Sequence, residues 1–467
     1  MYNQIMSIPP LKDLIDGFTY DKFGLDENEQ YNMLEVDAIN LLTPDRIDIV
    51  AKYMYLFFKQ NHIKSDLAKS VYKNHIEIFS EGKFYEPGSK TKTSYEDFVK
   101  EYDEIYNNLK KHGFDAKKSL IPVGSNHSII NGGHRTAASI FLKQKVGILE
   151  IHNHQSPNYD YKYFEKAQMP REYLDFMALN YMKLTPKRTF VICLWPRAVS
   201  MNKTKECEDL ILEKTSLIYK KVVPFNKIGL KNFMMHLYHN EKWVGAEKNN
   251  FMGVYGKLDV CYAEADTILY FVEADGIDII MDLKNQIRSI FGIDKHSVHI
   301  TDTEQEAHLA ADLILNKNGL LALNCGYPDK LNPKLDNLRN KKKQSKNQNL
   351  ILHPIYTLQY FGYDIKKRSG DDFYDISKLD KDIDYDIRNF FYYRGFKLFS
   401  PEYAKELCDE KYSQLFDSIL SMDKISFRSK VKEDFSKTVF RTKRKIKHLL
   451  RKVGLLDYIY EIRKKEK

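Results

Sequence analysis

Gly132-Gly133-His134-Arg135 sets two glycines beside two nitrogen-bearing side chains, a combination suited to holding an anion. Upstream, Leu120-Ile121-Pro122-Val123 predicts a short strand, Gly124-Ser125-Asn126 a turn, and Ser128-Ile129-Ile130 a second short strand. A helix is expected to start within His134-Arg135-Thr136-Ala137-Ala138-Ser139. A chain that passes through glycines into a helix presents unpaired N–H groups and the positive helix end to a ligand. Glycine also lets the backbone approach closely. His134 and Arg135 would add donor or cationic groups, and arginine suits two-point contact with phosphate. The same pattern also fits a plain strand–turn–helix corner with one exposed arginine.

The wider segment Lys111–Leu142 carries a resemblance. Its order is a helix end stopped by Gly113, then Phe114, a lysine-rich turn, a short strand, a turn and Ile129-Ile130-Asn131-Gly132-Gly133-His134-Arg135-Thr136-Ala137-Ala138. Over roughly Phe84–Leu149 this resembles the ParB/sulfiredoxin fold. ParB-type partition proteins have a G-x-x-R-x-x-A core, met here by Gly132, Arg135 and Ala138; sulfiredoxins have G-C-H-R and free serine kinases G-H-H-R. Gly133 stands where sulfiredoxins carry their reactive cysteine, and no helix-turn-helix pattern follows the motif. The resemblance implies nucleotide phosphates, from ATP or CTP, on Gly132, Gly133, His134, Arg135 and Thr136, with Mg²⁺ for charge neutralisation. The early acidic residue that acts as base in the kinases corresponds to Glu86, which is equally readable as a surface carboxylate before Pro87.

The expected activity is therefore phosphotransfer from a nucleotide to a sugar or polyol hydroxyl, with Glu86, His134 and Arg135 at the reacting centre. Two alternatives stay open: a nucleotide-gated switch or scaffold without turnover, and nucleotidyl transfer by the C-terminal region. The layout also resembles proteins of bacterial surface-polysaccharide clusters, through Arg46-Ile47-Asp48, Gly132–Arg135 and Lys295–Thr303. That resemblance implies surface-glycan biosynthesis.

The elements that must position these residues are expected to form a mixed α/β (α+β) chain. The expected division is a poorly ordered N-terminus (1–40), a ParB/sulfiredoxin-like nucleotide-binding domain (41–155), a connecting segment (156–205), a second α/β unit (206–333), a basic linker (334–349), a degenerate nucleotidyltransferase-like region (350–425) and a basic amphipathic tail (427–467). Thr43 and Pro44 predict a helix start, and Ile47, Val50, Ala51, Met54, Tyr55 and Phe58 follow a 3.6-residue period. Asp45, Asp48 and Lys52 are expected on its exposed face. Ser94 and Asp97 predict an N-terminal capping pair for a helix from Tyr95 to Lys111. In the strand Val146–His154, alternation puts Glu150, His152 and His154 on one face, as metal ligands or as a polar sheet edge. A helix over Arg171–Lys183 and a strand over Arg188–Trp195 follow.

In the second unit, Asp282–Phe291 predicts a helix, Ser297–Ile300 a strand, and Thr303 with Glu306 a capping box. Lys295–Thr303 sets two histidines, a lysine and an aspartate at a strand-to-helix turn: a site, or a polar loop capped by Asp302. The 350–425 region resembles a nucleotidyltransferase in outline, with Asp382 and Asp384 as the Mg²⁺-binding D-x-D pair. That pair lies farther from Gly362 than the family motif has it.

Composition narrows the classes. In 467 residues, 43% hydrophobic and 29% charged content is ordinary for a globular protein. No apolar run approaches the roughly 20 residues of a membrane span, and the start lacks the pattern of a secretory signal. Five scattered cysteines without C-x-x-C spacing point to a reducing cytoplasm. Residues 427–467 hold fifteen Lys/Arg against five Asp/Glu, which leaves the body with 58 against 59. A near-neutral body argues against a nucleic-acid partner. The tail's stripe of Ile446, Leu449, Leu450, Val453, Leu456 and Tyr460 suits an anionic membrane surface or a partner protein. The expected location is cytoplasmic, peripheral on the inner face of the plasma membrane.

Overall fold

The computed structural model describes residues 10–86, 92–245, 251–345, 350–365, 372–375, 385–408 and 410–421. Asp382, Asp384 and the 427–467 tail lie outside the described residues. The architecture is mixed α/β, with several small sheets among helices. No helix among the described residues is long and apolar enough to cross a membrane.

The first sheet has the order β1-β3-β2, from β1 (Asn32–Asp37), β2 (Ile121–Gly124) and β3 (Lys145–Ile151). β1 runs antiparallel to β3 and β2 runs parallel to it. A parallel pair needs a crossover. Here the crossover is the motif helix, Gly133–Phe141, which packs on helix Asp48–Gln60. Helix Tyr95–His112 packs on both, its Tyr102 hydroxyl donating to the Lys52 carbonyl at 3.2 Å; Ser94 and Asp97 form the expected capping box, and Gly113 ends the helix at φ +75°.

Two expectations about this domain are corrected. Residues 10–40, expected to be poorly ordered, are structured: β1 completes the sheet, and Leu11, Leu14, Ile15 and Leu25 share a core with Leu120, Ile130, Leu149 and Ile151. Apolar residues too sparse to show a period are buried by tertiary contact. Second, the helix predicted from Thr43 starts at Asp48, because the Thr43 hydroxyl is 2.7 Å from Ser128 Oγ across the domain and caps nothing.

The second sheet is antiparallel throughout, with the order β5-β6-β4-β7, from β4 (Thr189–Leu194), β5 (Ser216–Val223), β6 (Thr267–Glu273) and β7 (Val298–Ile300). Strand β4 lies inside this sheet, so the segment read as a connection (156–205) supplies one of its central strands. All of β6 is buried, as a strand covered on both faces should be. One face packs on helices Thr204–Lys214 and Ile277–Phe291; the other merges with the core of the first domain. The segment Leu258–Tyr262 is the end of a helix, Gly253–Cys261.

The basic linker is also corrected. Asn332–Gln344 is a helix, anchored by buried Leu335 and Leu338, with Pro333 in its first turn and Lys341, Lys342 and Lys343 in its last. Proline fits the first turn because its missing N–H is not needed there, and lysines near the C-terminus favour the helix dipole. Beyond it, β8 (Leu350–Leu352) pairs with β9 (Phe373–Asp375), and β10 (Phe390–Tyr393) with β11 (Phe396–Phe399). In the glycine–acid pattern of that region, Asp372 accepts from Tyr356 (2.6 Å) and Lys341 (2.8 Å).

Candidate functional site

Asp48, Lys52 and their neighbour Arg46 are buried, contrary to the exposed face expected of them; Asp48 is 0% and Lys52 4% exposed. The surface rule for charges fails because these residues neutralise one another. The Asp48 carboxylate accepts from Arg46 Nε (2.8 Å) and Nη2 (3.0 Å) and from Lys52 Nζ (2.6 Å). Arg46 Nη1 also donates to the Ile129 carbonyl, and its guanidinium lies 5.2 Å from the Tyr159 ring centre. From a different helix, His75 brings Nε2 to 3.0 Å from Lys52 Nζ. Burial alone would raise the Asp48 pKa, but the Arg46 and Lys52 charges overcome it and hold the carboxyl well below its usual range. Burial, then the neighbouring Lys52, push His75 well below the ordinary histidine value. Burial pushes the Lys52 ammonium down and the Asp48 carboxylate at 2.6 Å opposes it; with Lys52 kept charged by that pair and His75 neutral, two cations share one carboxylate, and the cluster is net positive.

That positive cluster abuts the start of the motif helix. Gly132 is left-handed at φ +89°, a conformation that favours glycine, and its N–H donates to Asn131 Oδ1 at 2.6 Å. Gly133 opens the helix against the cations: a Cβ there would sit 3.3 Å from Lys52 Nζ and 3.5 Å from Arg46 Nη2. The first-turn N–H groups of a helix lack intrahelical acceptors, so N–H donors, the Lys52 ammonium and the Arg46 guanidinium border one space. The space is a cavity of about 650 Å³ lined by Asp16, Arg46, Lys52, Glu86, Lys92 and the Gly132–Arg135 motif. Such a volume suits a nucleotide-sized ligand.

The structure brings Glu86, Gly132, Gly133, His134 and Arg135 to this cavity, where the His134 and Arg135 side chains are engaged by protein partners. His134 Nε2 lies 2.8 Å from Tyr72 Oη, and burial, with Lys52 and Lys92 nearby, holds its pKa well below 6.5. It is therefore a neutral, positioned ring rather than a cation. Arg135 turns away from the helix axis to Ser119 Oγ and the Leu120 carbonyl (3.3 Å), fastening the helix start to the strand before it. Thr136 is buried and donates its hydroxyl to the Gly132 carbonyl at 3.1 Å. Glu86 is partly exposed and accepts from buried Lys92, which also pairs with Glu101 at 2.7 Å.

Sequence reading missed His75, Tyr72, Lys92 and Tyr159. One signal was available: a helix apolar nearly all round is buried, so the charges at 48 and 52 had to be internal.

The other expected sites are placed as follows. Glu150 Oε2 and His152 Nε2 are 3.8 Å apart, but His154 lies past the strand end against Phe23. Among the described residues no group of three His, Cys, Asp or Glu side chains is arranged to hold a metal ion. In the main cavity, both Asp48 oxygens are occupied by cations, and Glu86 and Glu101 share Lys92. The residues present therefore fit Mg²⁺ only as an ion carried on the ligand's phosphates, in keeping with its few protein ligands elsewhere. Compared with known proteins, the chain matches no family model and no curated protein.

Proposed function

We propose that the chain is a nucleotide-dependent phosphotransferase whose donor, ATP or CTP, sets its phosphates at the start of the motif helix. The acceptor is a sugar or polyol hydroxyl of the kind used in surface-glycan assembly. The observation that carries the reading is the net positive Arg46–Asp48–Lys52 cluster against Gly133. A strand–glycine–helix–strand unit with G-G-H-R at its turn supports the ParB/sulfiredoxin-like arrangement on which the nucleotide assignment rests.

In this reading the Gly133 and His134 N–H groups and the Lys52 ammonium hold phosphate oxygens, while Arg46 keeps Lys52 and Asp48 in register. Arg135 and Thr136 fix the backbone that presents those N–H groups. Glu86 takes the proton of the acceptor hydroxyl as its oxygen bonds to phosphorus and the bond to the bridging oxygen breaks, releasing the nucleoside diphosphate. Mg²⁺, when bound with the nucleotide, would neutralise phosphate charge.

Glu86→Gln tests this. A thermal-shift screen of nucleotides with sugars and polyols finds the pair, since ligands of the native state raise its melting point. Nucleoside diphosphate release is then measured. The variant should bind nucleotide normally and lose on the order of 10²–10⁴-fold in turnover. Unchanged turnover removes Glu86 as the base, and nucleotide binding without any turnover replaces the enzyme with a switch. Loss of pyrophosphate release in Asp382→Asn and Asp384→Asn, with Gly133→Val unaffected, would instead place nucleotidyl transfer in the C-terminal region.

The tail carries a separate proposal, attachment to an anionic membrane surface. Each Lys or Arg close to such a surface contributes roughly 1 kcal/mol, screened over about 8–10 Å. The chain should co-sediment with anionic but not neutral vesicles, only partly released by salt because the apolar stripe persists. Truncation after Asp423 should abolish this; undiminished sedimentation would exclude the tail as anchor.

A further inference from the structure

Among the described residues the sheet of the second unit ends at β7, which pairs with β4 and has no strand on its outer edge. A cavity of about 550 Å³ opens at that edge. Its lining combines cations, Lys284 and Arg288 from helix Ile277–Phe291 with Lys257 and Lys295, and aromatic rings. His299 meets Tyr238 edge-on at 4.9 Å, Tyr238 meets Trp243 edge-on at 5.0 Å, and Trp195 lies 6.4 Å from His299. Trp243 is 43% exposed, an unusual position for a tryptophan without a partner surface.

The cations are incompletely matched. Lys284 is paired with Asp302 at 2.8 Å, and the Glu306 carboxylate is taken by the Asp302 N–H at 2.9 Å. Arg288 comes no nearer than 3.8 Å to Asp294, and its buried Nε has no hydrogen-bond partner among the described residues. Lys257 donates to the Lys295 carbonyl at 3.1 Å and lies 5.1 Å from the Tyr238 ring centre. Among the described residues neither Lys257 nor Lys295 is paired with a carboxylate. The lining sets Lys257, Lys284, Arg288 and Lys295 against Glu241, Asp302 and Glu306, a surplus of one positive charge. Burial, then Lys284 and Lys257, bring the His299 pKa down to about 3, so this ring adds an aromatic face rather than a charge.

We propose that this cavity is a second ligand site, taking a nucleoside diphosphate or a close derivative: phosphates against Lys257, Arg288 and Lys295, and the flat base against Tyr238 and Trp243. Lys257 and Lys295, with the free Nε of Arg288, favour an anion, and an exposed indole beside a phenol ring selects a planar group attached to it. The volume falls within the range of roughly 300–1,000 Å³ common for such ligands. The inference stands independently of the motif-helix pocket.

The chain's two tryptophans, Trp195 and Trp243, both belong to this region, so intrinsic fluorescence reports on it. The full chain is titrated with UDP, ADP and inorganic pyrophosphate, with equilibrium dialysis in parallel. A nucleoside diphosphate should quench saturably and bind at least about tenfold tighter than pyrophosphate. Arg288→Ala, and Lys295→Glu as a variant at an exposed position, should each weaken binding about tenfold or more, while Gly133→Val leaves it unchanged. The proposal is overturned if neither nucleotide binds, if pyrophosphate binds as tightly, if Lys295→Glu has no effect, or if Gly133→Val abolishes the signal.

Discussion

Asp48→Ala is expected to destabilise the chain by about 3–5 kcal/mol, the usual cost of removing one partner from a buried ion cluster. The substitution leaves Arg46 and Lys52 facing each other with no carboxylate between them, in a region where both are nearly inaccessible to water. Lys52→Met should cost far less. Its side chain keeps the volume, and Asp48 retains both bonds from Arg46. The pair of variants separates two meanings of the cluster. If it serves only the fold, the two should rank as above and share every other property. If it holds an anion, Lys52→Met should fold and yet lose phosphate affinity. Urea unfolding gives the first comparison; a midpoint for Asp48→Ala equal to that of the wild type would show that the cluster is solvated.

The second large effect is a loss of stability in acid. His236 is 2% exposed, accepts from the Arg394 N–H at Nδ1 (2.9 Å) and has Nε2 at 3.0 Å from the Leu309 carbonyl, so the ring is neutral with its proton on Nε2. Burial, with His239 beside it, brings its pKa down to about 3. A depressed pKa means that the unfolded chain takes up the proton first. The contribution is fully present above the unfolded value near pH 6.5 and is lost as the pH falls towards 3. At pH 5 this one ring should already have cost about 2 kcal/mol. His75 and His134 are shifted in the same direction, so the losses accumulate. Unfolding free energy should drop steeply between pH 7 and 5, and His236→Gln should reduce the slope by about one proton. A flat profile over that range would contradict the buried, neutral rings.

Local signals in the sequence were legible where chain neighbours alone determine the outcome. Ser94 with Asp97 and Gly113 are set by backbone donors within a few residues and are found where expected, and the motif helix starts at Gly133, one residue before the expected stretch. Tertiary decisions were not legible in that way. Asp48 and Lys52 looked like a solvated face because the groups that let them be buried, Arg46, His75 and the Ile129 carbonyl, come from a preceding turn, another helix and a distant loop. Asn332–Gln344 looked like a linker because its lysines outnumber the two leucines that anchor it. Arg135 was assigned to the ligand on residue type alone; the direction of its side chain, towards Ser119, depends on a strand end fifteen residues upstream.

Calorimetric titration of ATP and CTP into the wild-type chain and Gly133→Val tests the phosphate site most directly. Gly133 has a backbone other residues can adopt, but a Cβ there comes within 3.3 Å of the end of Lys52, which has to give way, so the variant's urea midpoint is measured beside its affinity. The valine methyl groups would occupy the space between the helix start and Lys52. The wild type should bind at least one of the two nucleotides, and Gly133→Val should bind it at least about a hundredfold more weakly, a difference of roughly 2.8 kcal/mol. No binding of either nucleotide by the wild type, or equal affinity in the two proteins, would contradict the account.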